Sequence, residues 1–313
     1  MKTVSVIVPT YNGEKYIERF LDSLLKQERQ PNEVIFRDDR STDNTVDIVE
    51  HFIKEHDISN WKISVNDENV GWRKNFQLLL SNVESDIIFF ADQDDIWYSQ
   101  KIKYMVECFE LNSKIRVLSS DYDIDTSLGS EVQFGLLELE SQSDSIVKKV
   151  KFSKNNFTIK RPGWTFAVDK SLLPIYADAQ LGSKSKSYDA IIWQIGLVDG
   201  SLYHLPKSTG KWIMHEDSAI SNETKQFKNE KMKKLTRYFY DEYNFATFCI
   251  TSISSKKLDA NSDVLNFFIH REKEFKQRYS TISTRSLLVV LRGMLKYTKL
   301  KYFLADLRTV RKL

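Results

Sequence analysis

Short strand-forming runs alternate with helix-forming stretches through the first hundred residues, and this alternation narrows the possible folds more than any other feature. Val4 to Val8 is a β-branched run closed by Pro9, and after Asn12-Gly13 the residues Tyr16, Ile17, Phe20, Leu21, Leu24 and Leu25 recur at helical spacing. "EVIFRDD" begins a second unit, in which Ser41 or Thr42 can cap a helix carrying Val46, Val49, Phe52 and Ile53 on one face. "WKISVND" and "GWRKNFQLLLSN" form a third, and "DIIFFAD" supplies a fourth strand whose unbroken apolar run predicts burial on both faces. Strands alternating with helices predict an α/β chain built on a parallel sheet covered by helices.

In such sheets ligands bind beyond the carboxyl ends of the strands. The polar stretches fall there: "PTYN" after the first strand, "RDDRSTD" after the second, "NDENVG" after the third and "ADQDD" after the fourth. One acidic loop is usually a turn or a helix cap. Four together point to a ligand site.

Beyond residue 100, "KIKYMVECFELN" predicts a helix, "IRVLSSDYDID" and "GWTFAVDK" strands, "SLLPIYADAQ" and "SYDAIIWQIGLVDG" helices, and "SLYHLPKSTGKWIMHEDS" extended chain. Residues 127–160 are polar and irregular. From about Asn222 the pattern turns helical, basic and aromatic.

The net charge of +3 is too small to indicate nucleic acid as a partner. Cys108 and Cys249 stand far apart, with no metal-ligand spacing, so neither a disulfide framework nor a structural zinc is expected and a reducing cytosol fits. The first apolar run is too short for a signal-peptide core, and no span approaches the roughly 20 apolar residues of a membrane-crossing helix.

A nucleotide suits the edge of a parallel sheet, but G-x-G-x-x-G and G-x-x-x-x-G-K-[ST] are both absent. A phosphohydrolase with an aspartyl nucleophile is disfavoured, because the first strand ends in "PTYN" without a carboxylate. The crowded acids Asp92, Asp94 and Asp95 are then best read as a mount for a hard divalent cation that holds a diphosphate.

"VSVIVPTYNGEKYIERFLDSLLKQ", "RDDRSTDNT" and "FFADQDDIW" together resemble the inverting family-2 glycosyltransferases of the GT-A fold, and "DQDDIW" is similar to the bacterial rhamnosyltransferase-like members. The resemblance is specific over residues 1–100, weaker to about 220 and absent beyond. It implies a GT-A, Rossmann-like nucleotide-diphospho-sugar transferase domain over residues 1–222, with a nucleotide-binding half (1–100) and an acceptor half (101–222). A helical extension occupies 223–313. It further implies a nucleotide-diphosphate sugar donor, dTDP-rhamnose or a UDP-sugar, an Mn²⁺ or Mg²⁺ ion, and a glycan or lipid-linked glycan acceptor.

Carried over residue by residue, the resemblance puts Pro9, Thr10 and Tyr11 beside the base and ribose and Asp39 on the base. Arg73 and Lys74 stand near the donor. Asp94 is expected on the metal and Asp92 on the ribose or a metal-bound water, with Asp95 as an extra acid or helix cap. Arg40 occupies a position where many relatives have glycine. The general base is expected at Asp189, ahead of an apolar helix, with Trp193 four residues on shaping the sugar subsite. In "WIMHED" His215 is expected as a third metal ligand, with His204 as the competing histidine and Glu216 or Asp217 as alternative bases. The rival reading is a catalytically inactive sugar-nucleotide-binding subunit of another transferase.

The tail "RSLLVVLRGMLKYTKLKYFLADLRTVRKL" carries leucines at helical spacing among many cations and the single acid Asp306. One or two basic amphipathic helices are expected. They would pack on the catalytic domain or in a homodimer, helped by Tyr238, Phe239, Tyr240, Tyr243 and Phe245, or lie peripherally on the inner face of the plasma membrane.

Overall fold

The computed structural model describes residues 1–125, 141–142, 146–183, 185–213 and 231–311. The chain divides into two compact units, Met1–Pro174 with Ser187–His215, and Ile175–Lys186 with Glu216–Leu313. The sequence pattern set a single boundary near 222; the structure instead assigns the short segment Ile175–Lys186 to the helical unit.

The first unit opens as the alternation requires: β1 (Val4–Thr10), α1 (Ile17–Leu25), β2 (Glu33–Asp38), α2 (Thr45–Glu55), β3 (Trp61–Val65), α3 (Trp72–Leu80) and β4 (Ile87–Phe90). The short β5 (Ile96–Trp97) leads into α4 (Lys101–Leu111), and β6 (Val117–Asp125), β7 (Ser141–Gln142), β8 (Lys148–Val150) and β9 (Phe166–Asp169) follow. After α5 (Leu173–Gly182) come α6 (Tyr188–Val198) and β10 (Leu202–Ile213). The strands form one sheet in the order β3-β2-β1-β4-β9-β6-β10-β8-β7, with β5 added against β10.

Strands β3, β2, β1 and β4 are parallel neighbours. Beyond β4 the sheet is mixed: β9 runs antiparallel to both β4 and β6, while β6 and β10 are parallel. Apolar patterning identifies a strand but carries no direction, so the orientation of the later strands comes from the structure alone. All four residues of β4 are fully buried, as an unbroken apolar run between two helical layers requires. One face of the sheet is filled by Phe20, Leu21 and Leu24 of α1, Val49 of α2, Ile102 and Met105 of α4, and the inward residues of β1, β2 and β4.

The central position of β1, between β2 and β4, makes its carboxyl end the place where strand order reverses. The loops after β1, β2 and β4 therefore open together. Asp38, completely buried, ties two of them: Thr10 Oγ1 donates to it at 2.9 Å, and Ser41 donates from its backbone N (2.7 Å) and its hydroxyl (2.6 Å).

The helical unit contains α7 (Lys231–Ser254), α8 (Ser262–Thr284), α9 (Leu287–Arg292) and α10 (Leu300–Arg311), with a single 3₁₀ turn at Met294–Lys296. The Asn261 side chain caps α8 by accepting from the backbone N–H groups of Asp263 and Val264. Its core joins Phe239 of α7 and Phe275 and Ile282 of α8 to Val290, Phe303 and Val310 of the tail. Buried acids inside it are paired. Glu242 accepts from Lys186 Nζ at 2.5 Å and from Arg271, and Asp306 accepts from Arg278 Nε and Nη2 at 3.1 Å each. Burial alone would raise Glu242, yet the cations Lys186 and Arg271 hold it below the usual carboxylate range. The tail is thus amphipathic as its spacing predicts, with one face packed on α7 and α8.

Arg40 adopts φ 66°, the left-handed region. A side chain there costs on the order of 1 kcal/mol relative to glycine, which explains why this turn favours a residue without one. We expect Arg40→Gly to stabilise the first unit by up to about 1 kcal/mol in chemical denaturation. A loss of stability would show instead that the Arg40 side chain holds the loop.

Candidate active site

The loops after β1 and β4 are joined by one side chain. Gln93 accepts from Tyr11 N at 3.0 Å through Oε1 and donates from Nε2 to Tyr11 O at 2.9 Å, pairing with the backbone as a neighbouring strand would. A Cβ on Gly13 would collide with that Gln93 amide, so the close approach requires glycine. Asn12, itself at φ 46°, accepts from Thr42 N at 2.8 Å and donates its backbone N–H to Ser41 Oγ at 2.9 Å. Within this frame Pro9 is partly buried and Thr10 is buried, its hydroxyl committed to Asp38; Tyr11 is 47% exposed and available to a ligand.

Asp39 fixes the third loop. Its carboxylate accepts from Val70 N (2.8 Å), Gly71 N (2.8 Å) and Asn66 Nδ2 (2.9 Å), which sets the entry to α3. Arg73 in the first turn of α3 lies with its guanidinium 4.1 Å from the centre of the Trp72 ring. The Trp72 ring in turn meets the edge of Tyr188, whose own ring stacks on Phe90 at 5.1 Å. Tyr188 opens α6, and Asp189 is the next residue. A Cβ on Gly163 would strike both Tyr188 and Asp189, so the turn at Gly163–Thr165 presses directly against the start of α6.

This packing brings Asp189, nearly a hundred residues downstream, to the acidic loop after β4. Burial, and then the charges of Asp94 and Asp189, push Asp92 up to about 8. Asp189 is also raised, chiefly by burial, while a hydrogen bond from Ser187, the backbone N–H of Ala190 and the positive charge of Arg73 oppose the rise. Of the expected cationic pair, Arg73 belongs to this cluster and Lys74 is exposed.

Asp95 has a separate role. Its side chain is 2% exposed, accepts from Ile213 N at 3.1 Å and lies in the field of Lys101. Lys101 is completely buried: Nζ donates to Trp164 O and Thr209 Oγ1 at 3.1 Å each and lies 4.6 and 4.8 Å from the ring centres of Trp97 and Trp164. Burial pulls Lys101 down to about 7, against the pull of Asp95. Two indole faces favour a cation at this point, so the lysine is caged as a counter-charge beneath the acidic loop. Sequence reasoning missed it. The available signal was its spacing, because residues 101, 105 and 108 share the face of α4 that carries Met105 and Cys108 into the core.

Several expectations are corrected. Trp193 is entirely buried, donates Nε1–H to Asn156 O at 2.7 Å and stacks on Phe166, so it packs the core and cannot touch a sugar. His204 joins a buried polar lock between β6 and β10: Nε2 lies 3.1 Å from Asp121 Oδ1 and Nδ1 lies 3.0 Å from Ser119 Oγ, with Arg161 also donating to Asp121. Ser119 has no exposed surface, so this Ser-His-Asp order serves packing. His215, Glu216 and Asp217 lie outside the described residues.

Among the described residues no three His, Cys, Asp or Glu side chains form a ready-made metal cage. Two hard carboxylates at Asp92 and Asp94 nevertheless suit Mg²⁺-type binding, in which one or two protein carboxylates are completed by water and substrate phosphates. The residues present fit such an ion.

Parallel strands ending in an acidic loop, a second acid delivered from a later helix, and a mixed outer sheet describe an α/β domain of the GT-A fold. Residues 5–159 match the family described as Glycosyl transferase family 2. The dTDP-rhamnosyl transferase RfbG of Shigella flexneri is 43% identical over 108 residues, which are 33% of this chain and 37% of that protein. The poly(ribitol-phosphate) β-N-acetylglucosaminyltransferase TarS of Staphylococcus aureus is 37% identical over 105 residues, covering 33% of this chain and 18% of TarS. The chain therefore matches well under half the length of these curated relatives. In fold it is similar to the S. aureus TarS 1-349 structure in complex with UDP-GlcNAc (TM-score 0.58, 21% identity, 99% of this chain and 90% of that one). It is also similar to the Pyrobaculum calidifontis mannosyltransferase PcManGT in complex with GDP-Man and Mn²⁺ (TM-score 0.51, 15% identity, 98% and 79%).

Removing one member of a buried charge pair typically costs about 3–5 kcal/mol, because the other is left uncompensated. Lys101→Met is expected to fall in that range by urea denaturation, and the double change with Asp95→Asn to recover at least roughly 1 kcal/mol of it. Strict additivity of the two would show that Lys101 does not neutralise Asp95.

Proposed function

We propose that this protein transfers a sugar from a nucleotide-diphosphate donor, dTDP-rhamnose or a UDP-sugar, to a hydroxyl of a growing cell-surface glycan, with inversion and with the help of Mn²⁺ or Mg²⁺. The observation that carries this reading is the convergence of Asp189 on Asp92 and Asp94 at the carboxyl end of β4. The donor identities printed for the relatives, a dTDP-rhamnosyl transferase and a UDP-GlcNAc complex, support a nucleotide sugar as ligand.

In this reading Asp189 accepts the proton of the acceptor hydroxyl as that oxygen bonds to the anomeric carbon. The bond from that carbon to the diphosphate breaks on the opposite face, and its electron pair leaves with the phosphate oxygen. A single displacement inverts the centre. Burial suits Asp189 to the task, since a raised carboxylate is a stronger base than an exposed one. Tyr11 and the Asp39-braced loop border the nucleotide, with Pro9 and Thr10 shaping the strand end beneath it. Asp94 would hold the metal, with Asp92 on the ribose or on a metal-bound water; the ion supplies positive charge to the departing diphosphate. Arg73 tempers the negative field around Asp189.

Asp189→Asn is expected to lower turnover at least about 10³-fold while donor affinity stays within about twofold, since an amide keeps the shape and loses the basicity. In the unaltered protein the rate should fall as pH drops through a pKa above the ordinary carboxylate range, because the deprotonated acid is the active form. Normal turnover of the variant at saturating acceptor would remove Asp189 from the reaction. Asp94→Ala should abolish donor-dependent thermal stabilisation in Mn²⁺ as well as transfer, with an unchanged circular dichroism spectrum. Full activity in excess EDTA would contradict the metal role.

A further inference from the structure

The transfer reaction leaves the exposed side of the helical tail without a task. Packing of Val290, Phe303 and Val310 uses one face of α9 and α10 only. On α9, Leu287, Leu288 and Leu291 remain exposed; in the following turn Met294 and Leu295 do, the latter 94% accessible; on α10, Leu300 and Leu304 complete the row. Seven of the fifteen exposed large apolar side chains among the described residues therefore fall within one short segment. Scattered surface leucines need no explanation, but a concentrated set marks an interaction surface.

The charges around this row are of one sign. Every Lys and Arg between residues 285 and 311 is exposed, seven in all, from Arg285 to Arg311. The single acid of that stretch, Asp306, is buried and held by Arg278. Arg285 also borders a cleft of about 430 Å³ between α7 and α8, lined by Lys233 and Arg237 and by the rings of Tyr240 and Tyr279. Cationic side chains beside tyrosines suit an anionic headgroup at a water–lipid boundary.

We infer that the α9–α10 face docks on an anionic lipid surface, its leucines entering the boundary between headgroups and acyl chains and its cations meeting the lipid phosphates. A second copy of the same face would oppose seven cations with seven cations and no free acid, so the charge pattern selects an anionic partner over self-association. Attachment is from the surface, because no helix of the described residues is long and apolar enough to cross a membrane. This inference does not depend on the sugar-transfer reading.

Full-length protein is mixed with vesicles of phosphatidylcholine alone or of phosphatidylcholine with phosphatidylglycerol, and binding is read by co-sedimentation. Binding is expected to the anionic vesicles only and to weaken with salt. Arg292→Glu with Lys296→Glu should lower the partition coefficient about tenfold or more. Leu288→Ser with Leu291→Ser and Leu295→Ser should lower it as much while leaving the melting temperature intact, as expected of exposed positions. No binding at low salt overturns the inference, as does binding that the serine substitutions leave unchanged. Self-association that the serine substitutions abolish, without vesicle binding, overturns it in favour of a dimer surface.

Discussion

Acidic side chains concentrated at one end of the sheet are the constraint on which the first unit is organised. Asp92, Asp94, Asp95 and Asp189 gather where β1 and β4 end; burial and then neighbouring acids raise Asp92 and Asp95, and burial raises Asp189, so each of these three is pushed towards its protonated form. The fold offsets this at separate points. Lys101 sits beneath Asp95 in a cage of two tryptophans, and Arg73 acts on Asp189 from the first turn of α3. Asp92 and Asp94 are partly exposed. An open negative site of this kind suits a ligand that brings its own cation.

The helical unit handles buried charge differently. Among the described residues its interior acids have close partners: Glu242 and Asp306 pair with lysine or arginine, and Asp241 accepts from Ser185. Aromatic rings reinforce the same cations: Arg278 lies 4.2 Å from the ring centre of Phe239, and Arg271 lies 4.5 Å from that of Phe275. Such pairing fixes helix register and contributes little net stability over an apolar core.

The parts of this structure legible in the sequence were those encoded by local spacing. β1 to β4, the helices between them and the apolar helix after Asp189 all followed from periodicity, and the acidic loop from its place at a strand end. The misreadings share one cause, which is that spacing does not report direction or burial. β9 reads as a strand but not as an antiparallel one. Trp193 lies one turn beyond Asp189, yet nearly all of α6 is buried, so sharing a face with a functional acid does not imply access to its ligand. Lys101 drew no reading from the sequence, because the indole of Trp164, distant in the chain, closes over it only in the fold. Ile175–Lys186 lies within the sequence span of the first unit, and only the pairs Ser185–Asp241 and Lys186–Glu242 reveal that it belongs to the second.

The Gln93 amide has a mechanical meaning. By satisfying both the N–H and the C=O of Tyr11, it leaves no slack between the residue proposed to border the nucleotide and the two acids that flank Gln93 in the chain. A ring settling over Tyr11 and an ion settling on Asp92 or Asp94 would then press on opposite ends of one short strut. Occupancy of either end sets the spacing at the other, so the two parts of a single ligand would be measured against each other before either is held.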